Sequence, residues 1–389
     1  MKAVGRLAMP PADTVVVPRY GRSTLAELLP SIGGHLGLGG SDVLGLPDAQ
    51  RWVVVLVDGL GALQLAEHAD HAPYLASLQR GEGDHPPVEG FSAGVPSSTV
   101  TSLTSLGTGT VPGHHGIVGY SCRNPRTGQF LNMLTWEGED EPTALQPHPT
   151  YLHTAASAGI DVGIVAPARF DGSGLTAVSL AGGLFYPVHD EEDEEQRLRL
   201  TVAAATAGER TLVYAYEREL DHTGHTRGVA SADWRRHLRR IDAMVEALRD
   251  DLPDDVRIVV TGDHGMIDVP PDERIVVEDV PALMRGVELV AGEGRLRQLY
   301  TEPGQAGAVA ARWRAELGER AIVLTREQAI DHGWYGPVGA DVRDRYGDVA
   351  VAILGSWAVM TRTLPGELGL VGMHGSLTAA EMLVPLVVD

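Results

Sequence analysis

The sequence predicts an α/β protein: a mostly parallel sheet flanked by helices, with a small α+β insertion late in the chain. Three observations carry that expectation. Short aliphatic runs alternate with helical patterns along most of the chain. The runs show no polar alternation, which suits strands covered on both faces. Several of them end in an acid or run into a histidine, at the carboxyl edge where open α/β sheets place their ligands.

Residues before about 45 are rich in Pro, Gly and short apolar pieces and are expected to wrap the core, with a short helix ending at Pro30. The run W-V-V-V-L-V at 52–57 is the first core strand, followed by Asp58 and a helical pattern. Residues 94–116 place Ser97, Ser98 and Thr99 ahead of a small-residue helix, and each suits a helix N-cap. A second strand is read at 160–166. The acidic run at 190–195 is the solvated start of a helix reaching 207, where carboxylates meet the positive end of the dipole. A third strand at 211–216 runs into a polar loop, D-H-T-G-H, before an amphipathic helix at 232–249, and a fourth at 256–261 ends in G-D-H-G. From 276 to 347 the pattern changes to short strands at 296–301 and 321–324 around a helix at 306–317, read as the insertion. The core is then 1–275 and 348–389, with strands at 349–354 and 383–388 returning to it.

Composition narrows the partners. The chain has 389 residues, 43% hydrophobic, enough for a large core, and a formal net charge of −21. That charge argues against a nucleic-acid polymer or an anionic membrane surface, whose recognition needs clustered Lys and Arg. A small phosphorylated substrate held through cations is compatible with it. Cys122 is the one cysteine, so neither an internal disulfide nor a thiolate metal cluster can form. The N-terminal stretch has no apolar run of signal-peptide length and no segment approaches a membrane span, so a soluble cytoplasmic protein is expected.

The chemistry-bearing residues are Asp58, then Asp221 and His225 in D-H-T-G-H, Asp263 and His264 in T-G-D-H-G, and His374 in M-H-G. Three carboxylates and three imidazoles without a thiol form an N/O donor set, which suits Zn²⁺ or a similar ion such as Mn²⁺ better than Mg²⁺ or Ca²⁺. Six ligands exceed one tetrahedral site and fill two if a hydroxyl joins them. Two cations about 3.5–4 Å apart can clamp the attacking and leaving oxygens of an in-line displacement at phosphorus.

These motifs, V-D-G-L at 57–60, P-S-S-T at 96–99, G-T-G and V-P-G-H-H-G-I at 107–117, D-H-T-G-H, T-G-D-H-G-M and M-H-G, stand in an order that resembles the nucleotide pyrophosphatase/phosphodiesterase branch of the alkaline phosphatase superfamily. The resemblance implies an alkaline-phosphatase-like core and a phosphodiesterase or nucleotide pyrophosphatase-like hydrolase. It selects Thr99 among the hydroxyls as a metal-activated nucleophile that forms a phosphothreonine intermediate. It assigns Asp58, Thr99, Asp263 and His264 to one zinc and Asp221, His225 and His374 to the other. Ser102, three positions after Thr99, is where the chain departs from many nucleotide-cleaving members, and its hydroxyl is expected to donate to a substrate phosphate. Arg169, beyond the second strand, is a further candidate phosphate contact. A phosphomonoesterase or phosphonate hydrolase on the same site, and a non-catalytic protein stabilised by zinc, are the competing expectations.

Overall fold

The computed structural model describes residues 9–83, 85–137 and 141–389. The first eight residues, on which part of the expectation of no leader rests, lie outside them. In chain order the strands of the two larger sheets are β1 (Arg51–Val57), β2 (Asp161–Pro167), β3 (Leu184–Val188), β4 (Thr211–Glu217), β5 (Val256–Gly262), β6 (Val287–Glu293), β7 (Leu296–Thr301), β8 (Ala321–Thr325), β9 (Val349–Ile353) and β10 (Leu386–Val388). The larger sheet runs β10-β5-β1-β4-β2-β3. All of its pairings are parallel except that of β10 with β5.

β1 lies at the centre of this sheet and explains its own composition. Successive side chains point to opposite faces. Trp52, Val54 and Leu56 enter one core with the helices α1 (Leu25–His35) and α2 (Thr99–Thr108), while Val53, Val55 and Val57 enter another. That second core contains α3 (Glu219–Arg227) through Leu220. It also contains Trp234, Leu238, Ile241, Val245 and Leu248 of α4 (Ala232–Asp251). A strand apolar on both faces therefore reads as an unbroken run. The acidic segment behaves as expected, since Asp193 caps a helix over Glu194–Ala205 by accepting from the backbone of Gln196.

Three expectations are corrected. The first helix does not end at Pro30 but continues to His35, with Pro30 inside it. Proline in a helix interior costs about 3 kcal/mol. Leu25, Leu28, Leu29 and Ile32 are all buried at helical spacing, each stabilising by about 1.5–3 kcal/mol, so the packing outweighs the break. The D-H-T-G-H segment is not a loop but the body of α3. Finally, β9 does not return to the core sheet. It pairs with β7 and β8 in an antiparallel four-stranded sheet, β6-β7-β9-β8, packed on α5 (Ala306–Leu317). The equally apolar run at the C-terminus does return, as β10. No helix among the described residues is long and apolar enough to cross a membrane.

Candidate active site

The carboxyl ends of β1, β4 and β5 lie side by side, and the chain leaving each delivers a ligand-type residue to one place. Asp58 follows β1, and its N–H donates to the Glu217 carbonyl at 2.8 Å, so the strand edge fixes its backbone. Glu217, at the end of β4, accepts from the N–H groups of Glu219 (2.8 Å) and Leu220 (3.4 Å). It thereby satisfies two orphan donors at the start of α3. Asp221 and His225 lie one turn apart on α3, with His225 Nε2 3.4 Å from Asp221 Oδ1. Gly224 between them lies against Met266, whose sulfur would stand 2.4 Å from a Cβ added there. Asp263 and His264 follow β5. His374 follows the two-residue strand Gly372–Met373, which pairs antiparallel with Ile267–Asp268 and so sets His374 beside them.

Thr99 opens α2. Its Oγ1 is 3.2 Å from His264 Nε2 and 3.5 Å from Asp58 Oδ1. Ser98 occupies the N-cap position, yet its side chain makes no capping bond, and the Ser97 hydroxyl donates to the Ser376 carbonyl at 2.7 Å. Neither serine hydroxyl caps the first turn of α2, so its free N–H groups and the positive end of the dipole stand beside Thr99.

The donor atoms form two overlapping groups, each of which could hold a metal ion. His225 Nδ1 lies 2.8 Å from the Gly372 carbonyl, His264 Nδ1 3.0 Å from that of Gly265 and His374 Nδ1 2.9 Å from that of Ser97. A carbonyl only accepts, so each Nδ1 carries a hydrogen, the tautomer in which a neutral ring leaves Nε2 as the free lone pair. Asp263 Oδ1 accepts from the N–H groups of Gly59 and His264, both at 3.0 Å, while its Oδ2 is buried without a hydrogen-bond partner. Asp221 Oδ1 is likewise buried and without one. Buried carboxylate oxygens left in this state are costly unless a cation meets them. Donor atoms of Asp58, Asp263 and His264 lie within 4.8 Å of one another, as do those of Asp221, His264 and His374. His264 is thus within reach of both groups rather than one, and His225 joins through Asp221.

Electrostatics agree with that reading. Burial, and then the carboxylates of Asp263 and Asp221, push the Asp58 carboxyl well above the usual range. Burial and the neighbouring rings of His264 and His225 hold His374 well below the ordinary histidine value, and the His264 and His374 rings stack 3.5 Å apart. A pocket that resists both extra negative and extra positive charge in this way is settled by divalent cations, which favour ionised carboxylates and neutral imidazoles together.

Two sequence candidates sit apart from this chemistry. Ser102 is fully buried and donates its hydroxyl to the Asp263 carbonyl at 2.7 Å, so its hydrogen is committed to holding the β5 end. Arg169 is exposed and ion-paired with Glu191, its guanidinium lying over the Phe170 ring. Outside the site, His115 of the V-P-G-H-H-G-I motif is buried with its Nε2 3.0 Å from Ser105 Oγ, and His114 stacks on His148.

Sequence reasoning missed two residues at the site. The Tyr216 hydroxyl donates to Asp58 Oδ2. Its only trace was a phenol near the end of a strand adjoining β1, the second of two tyrosines in T-L-V-Y-A-Y. Glu293, at the end of β6, reaches in from the smaller sheet, with Oε2 3.7 Å from His374 Nδ1 and Oε1 buried without a partner. Burial pushes its carboxyl up to about 8. No local pattern announces it, because it arrives by docking of one sheet against the other.

Comparison with known proteins places this geometry. Residues 52–377 match the family described as type I phosphodiesterase / nucleotide pyrophosphatase. Among solved structures, the murine ectonucleotide pyrophosphatase / phosphodiesterase 5 superposes with a TM-score of 0.67 at 18% identity, over 87% of this chain and 88% of that one. An inactive variant of the murine protein in complex with AMP gives a TM-score of 0.68 at the same identity and coverage, and the human protein gives 0.66 at 17% over the same shares. These likenesses establish an alkaline-phosphatase-like fold. Phosphopentomutase of Shewanella pealeana is 30% identical over 194 residues, 49% of this chain and 45% of that protein. The enzyme of the same name from Shewanella denitrificans is 34% identical over 101 residues, 26% of this chain and 24% of that protein. The chain therefore spans less than half the length of these curated relatives. With the family matched across the site-bearing strands from β1 to His374, the chain belongs to the type I phosphodiesterase / nucleotide pyrophosphatase family.

Proposed function

We propose that the protein hydrolyses phosphodiester or phosphoanhydride bonds of a small phosphorylated substrate, with Thr99 as nucleophile and two divalent cations, zinc by preference, held by Asp58, Asp221, His225, Asp263, His264 and His374. The observation that carries this reading is the position of Thr99 Oγ1. It stands at a helix N-terminus, 3.2 Å from His264 Nε2 and 3.5 Å from Asp58 Oδ1, among buried donors that lack partners. A purely structural metal site closes its coordination with protein ligands and has no use for a nucleophile beside it.

When bound, the cations would supply the charge that stabilises an ionised hydroxyl and spreads the developing negative charge on phosphorus. The remaining work falls to the chain. Thr99 Oγ1, its proton passed to solvent, forms a bond to phosphorus as the bond to the leaving oxygen breaks and that oxygen takes up a proton from solvent. The phosphothreonine still carries the substrate's other substituent, and water then cleaves the Oγ1–phosphorus bond to release a phosphomonoester and free Thr99. The uncapped N–H groups of the first turn of α2 face the phosphoryl oxygens and favour their charge. Tyr216 holds Asp58 by its hydroxyl, and three backbone carbonyls hold the imidazoles in the tautomer that leaves Nε2 free.

The deciding experiment compares hydrolysis of bis-p-nitrophenyl phosphate and p-nitrophenyl phosphate with metal content measured on the same sample. Diester preference, lost on chelation and restored by Zn²⁺, is the expected result. Parent-like rates in Thr99→Ala would sink the nucleophile, and active protein without zinc would sink the metal. The phosphopentomutase likeness favours a second reading, in which the same site acts on a phosphomonoester. Monoester preference in the same comparison would select it.

A further inference from the structure

The smaller sheet sends more than Glu293 toward the site. Two positions further on, the Arg295 guanidinium meets the Glu381 carboxylate, both fully buried, with Nε to Oε1 at 3.1 Å and Nη2 to Oε2 at 2.7 Å. Arg295 Nη1 donates to the Trp357 carbonyl. Glu381 is then committed on every side. Its Oε1 also accepts from the N–H of Ser376 at 3.0 Å and its Oε2 from the Thr378 hydroxyl at 2.5 Å. Its own carbonyl accepts from the N–H of Gly265 at 2.8 Å.

Those partners adjoin the chemistry. Ser376 lies two residues after His374, and its carbonyl takes the Ser97 hydroxyl at 2.7 Å. The N–H of Ser97 donates to the Gly375 carbonyl at 3.1 Å, and the Ser97 carbonyl receives His374 Nδ1. Gly265 follows His264, and a Cβ there would stand 2.0 Å from the Ala380 carbonyl oxygen, so the two backbones approach more closely than any residue but glycine allows. The ion pair therefore holds Glu381, whose carboxylate ties down the loop bearing His374 and, through Ser376, the turn before Thr99, and whose carbonyl holds the segment bearing His264.

Resting on the hydrolytic reading above, we infer that Arg295 and Glu381 are positioning residues, through which the smaller sheet sets the relative placement of the nucleophile turn and the His264 and His374 loops. A buried ion pair adds little net stability, because desolvation offsets the attraction. Its bidentate geometry does fix direction and distance. Misplacement of a reacting group by about 1 Å can cost on the order of 100-fold in rate.

The test uses the double variant Arg295→Met/Glu381→Met, which removes the pair without stranding a buried charge, and Arg295→Lys, which keeps the charge but loses the fork. With bis-p-nitrophenyl phosphate and Zn²⁺, the double variant is expected to lose about 10- to 100-fold in kcat with KM within about threefold, and Arg295→Lys to fall between it and the parent. A readout independent of activity is hydrogen exchange in chelated protein. Amides of residues 373–378 are expected to exchange faster in the double variant while those of 53–57 keep parental protection. A folded double variant with parental kcat would overturn the inference. So would acceleration shared equally by 53–57, which marks general destabilisation. Failure of the parent to cleave the diester would instead count against the proposed function and leave the exchange result to judge the positioning.

Discussion

The two sheets bury charge in opposite ways. At the carboxyl edge of the larger sheet, Asp221 Oδ1 and Asp263 Oδ2 are enclosed with no hydrogen-bond partner. In the smaller sheet, the guanidinium of Arg295 meets Glu381 and that of Arg297 meets Glu367, and each also donates to a backbone carbonyl. A buried charge with its partner built in completes a structure, whereas one without a partner calls for a ligand. Glu293 belongs by sequence to the smaller sheet, but its unpartnered oxygen allies it with the site.

The largest expected effect breaks the comparison at its chemical end. Thr99→Ala should lower diester hydrolysis by about 10³- to 10⁶-fold, read as kcat with zinc content unchanged to within one equivalent. A sharper probe of the unpartnered carboxylates is Asp263→Asn in chelated protein. The amide can still accept at Oδ1 while the orphan charge is gone, so the thermal midpoint should rise by several degrees. The midpoint increase that Zn²⁺ gives the parent should shrink or vanish. For the parent, ligand at about 1,000 times its Kd stabilises by about 4 kcal/mol. No zinc-dependent shift in the parent would contradict the account of this edge.

Glu293 offers a pH test. Its folded-state value of about 8 lies above the 4.5 of an unperturbed glutamate, with burial as the largest cause. The folded protein therefore holds a proton that the unfolded chain releases. Its contribution is fully present below about pH 4.5 and is lost as pH rises toward 8, on the order of 1.4 kcal/mol per pH unit at most. In chelated protein, Glu293→Gln should flatten the fall in thermal midpoint between pH 5 and 8. An unchanged slope would mean that Glu293 has another partner.

Smaller effects should follow from the supports. Tyr216→Phe removes the donor to Asp58 Oδ2 and should cost about 1–2 kcal/mol, near tenfold in kcat/KM. Arg169→Ala, which removes an exposed pair with Glu191, should change kcat/KM by less than about threefold. A tenfold loss there would restore Arg169 as a phosphate contact.

What could be read in the sequence follows the same division. The runs of β1, β2, β4 and β5 are apolar on both faces, and the chain leaving β1, β4 and β5 carries five of the six ligand-type residues, with His374 in the M-H-G motif, so fold class and all six were visible as local pattern. β9 was misplaced because V-A-V-A-I is as apolar as a core strand. What sends it to the smaller sheet is its pairing with β7 and β8, a non-local fact. Ser102 carried no sign that its hydroxyl would turn to the Asp263 carbonyl 161 positions away. The Arg295–Glu381 pair, 86 residues apart, was invisible for the same reason.

The placement of β1 also bears on how the molecule comes into being. Its two neighbours in the sheet are β4 and β5, which begin at Thr211 and Val256. During synthesis this apolar strand emerges some 150 residues ahead of the two strands that pair with its edges. Closure must await long-range contacts, which slow folding and leave adhesive edges exposed in the meantime. Passage of the nascent chain through this interval, rather than the stability of the finished fold, is where chaperone dependence and losses in recombinant yield should concentrate.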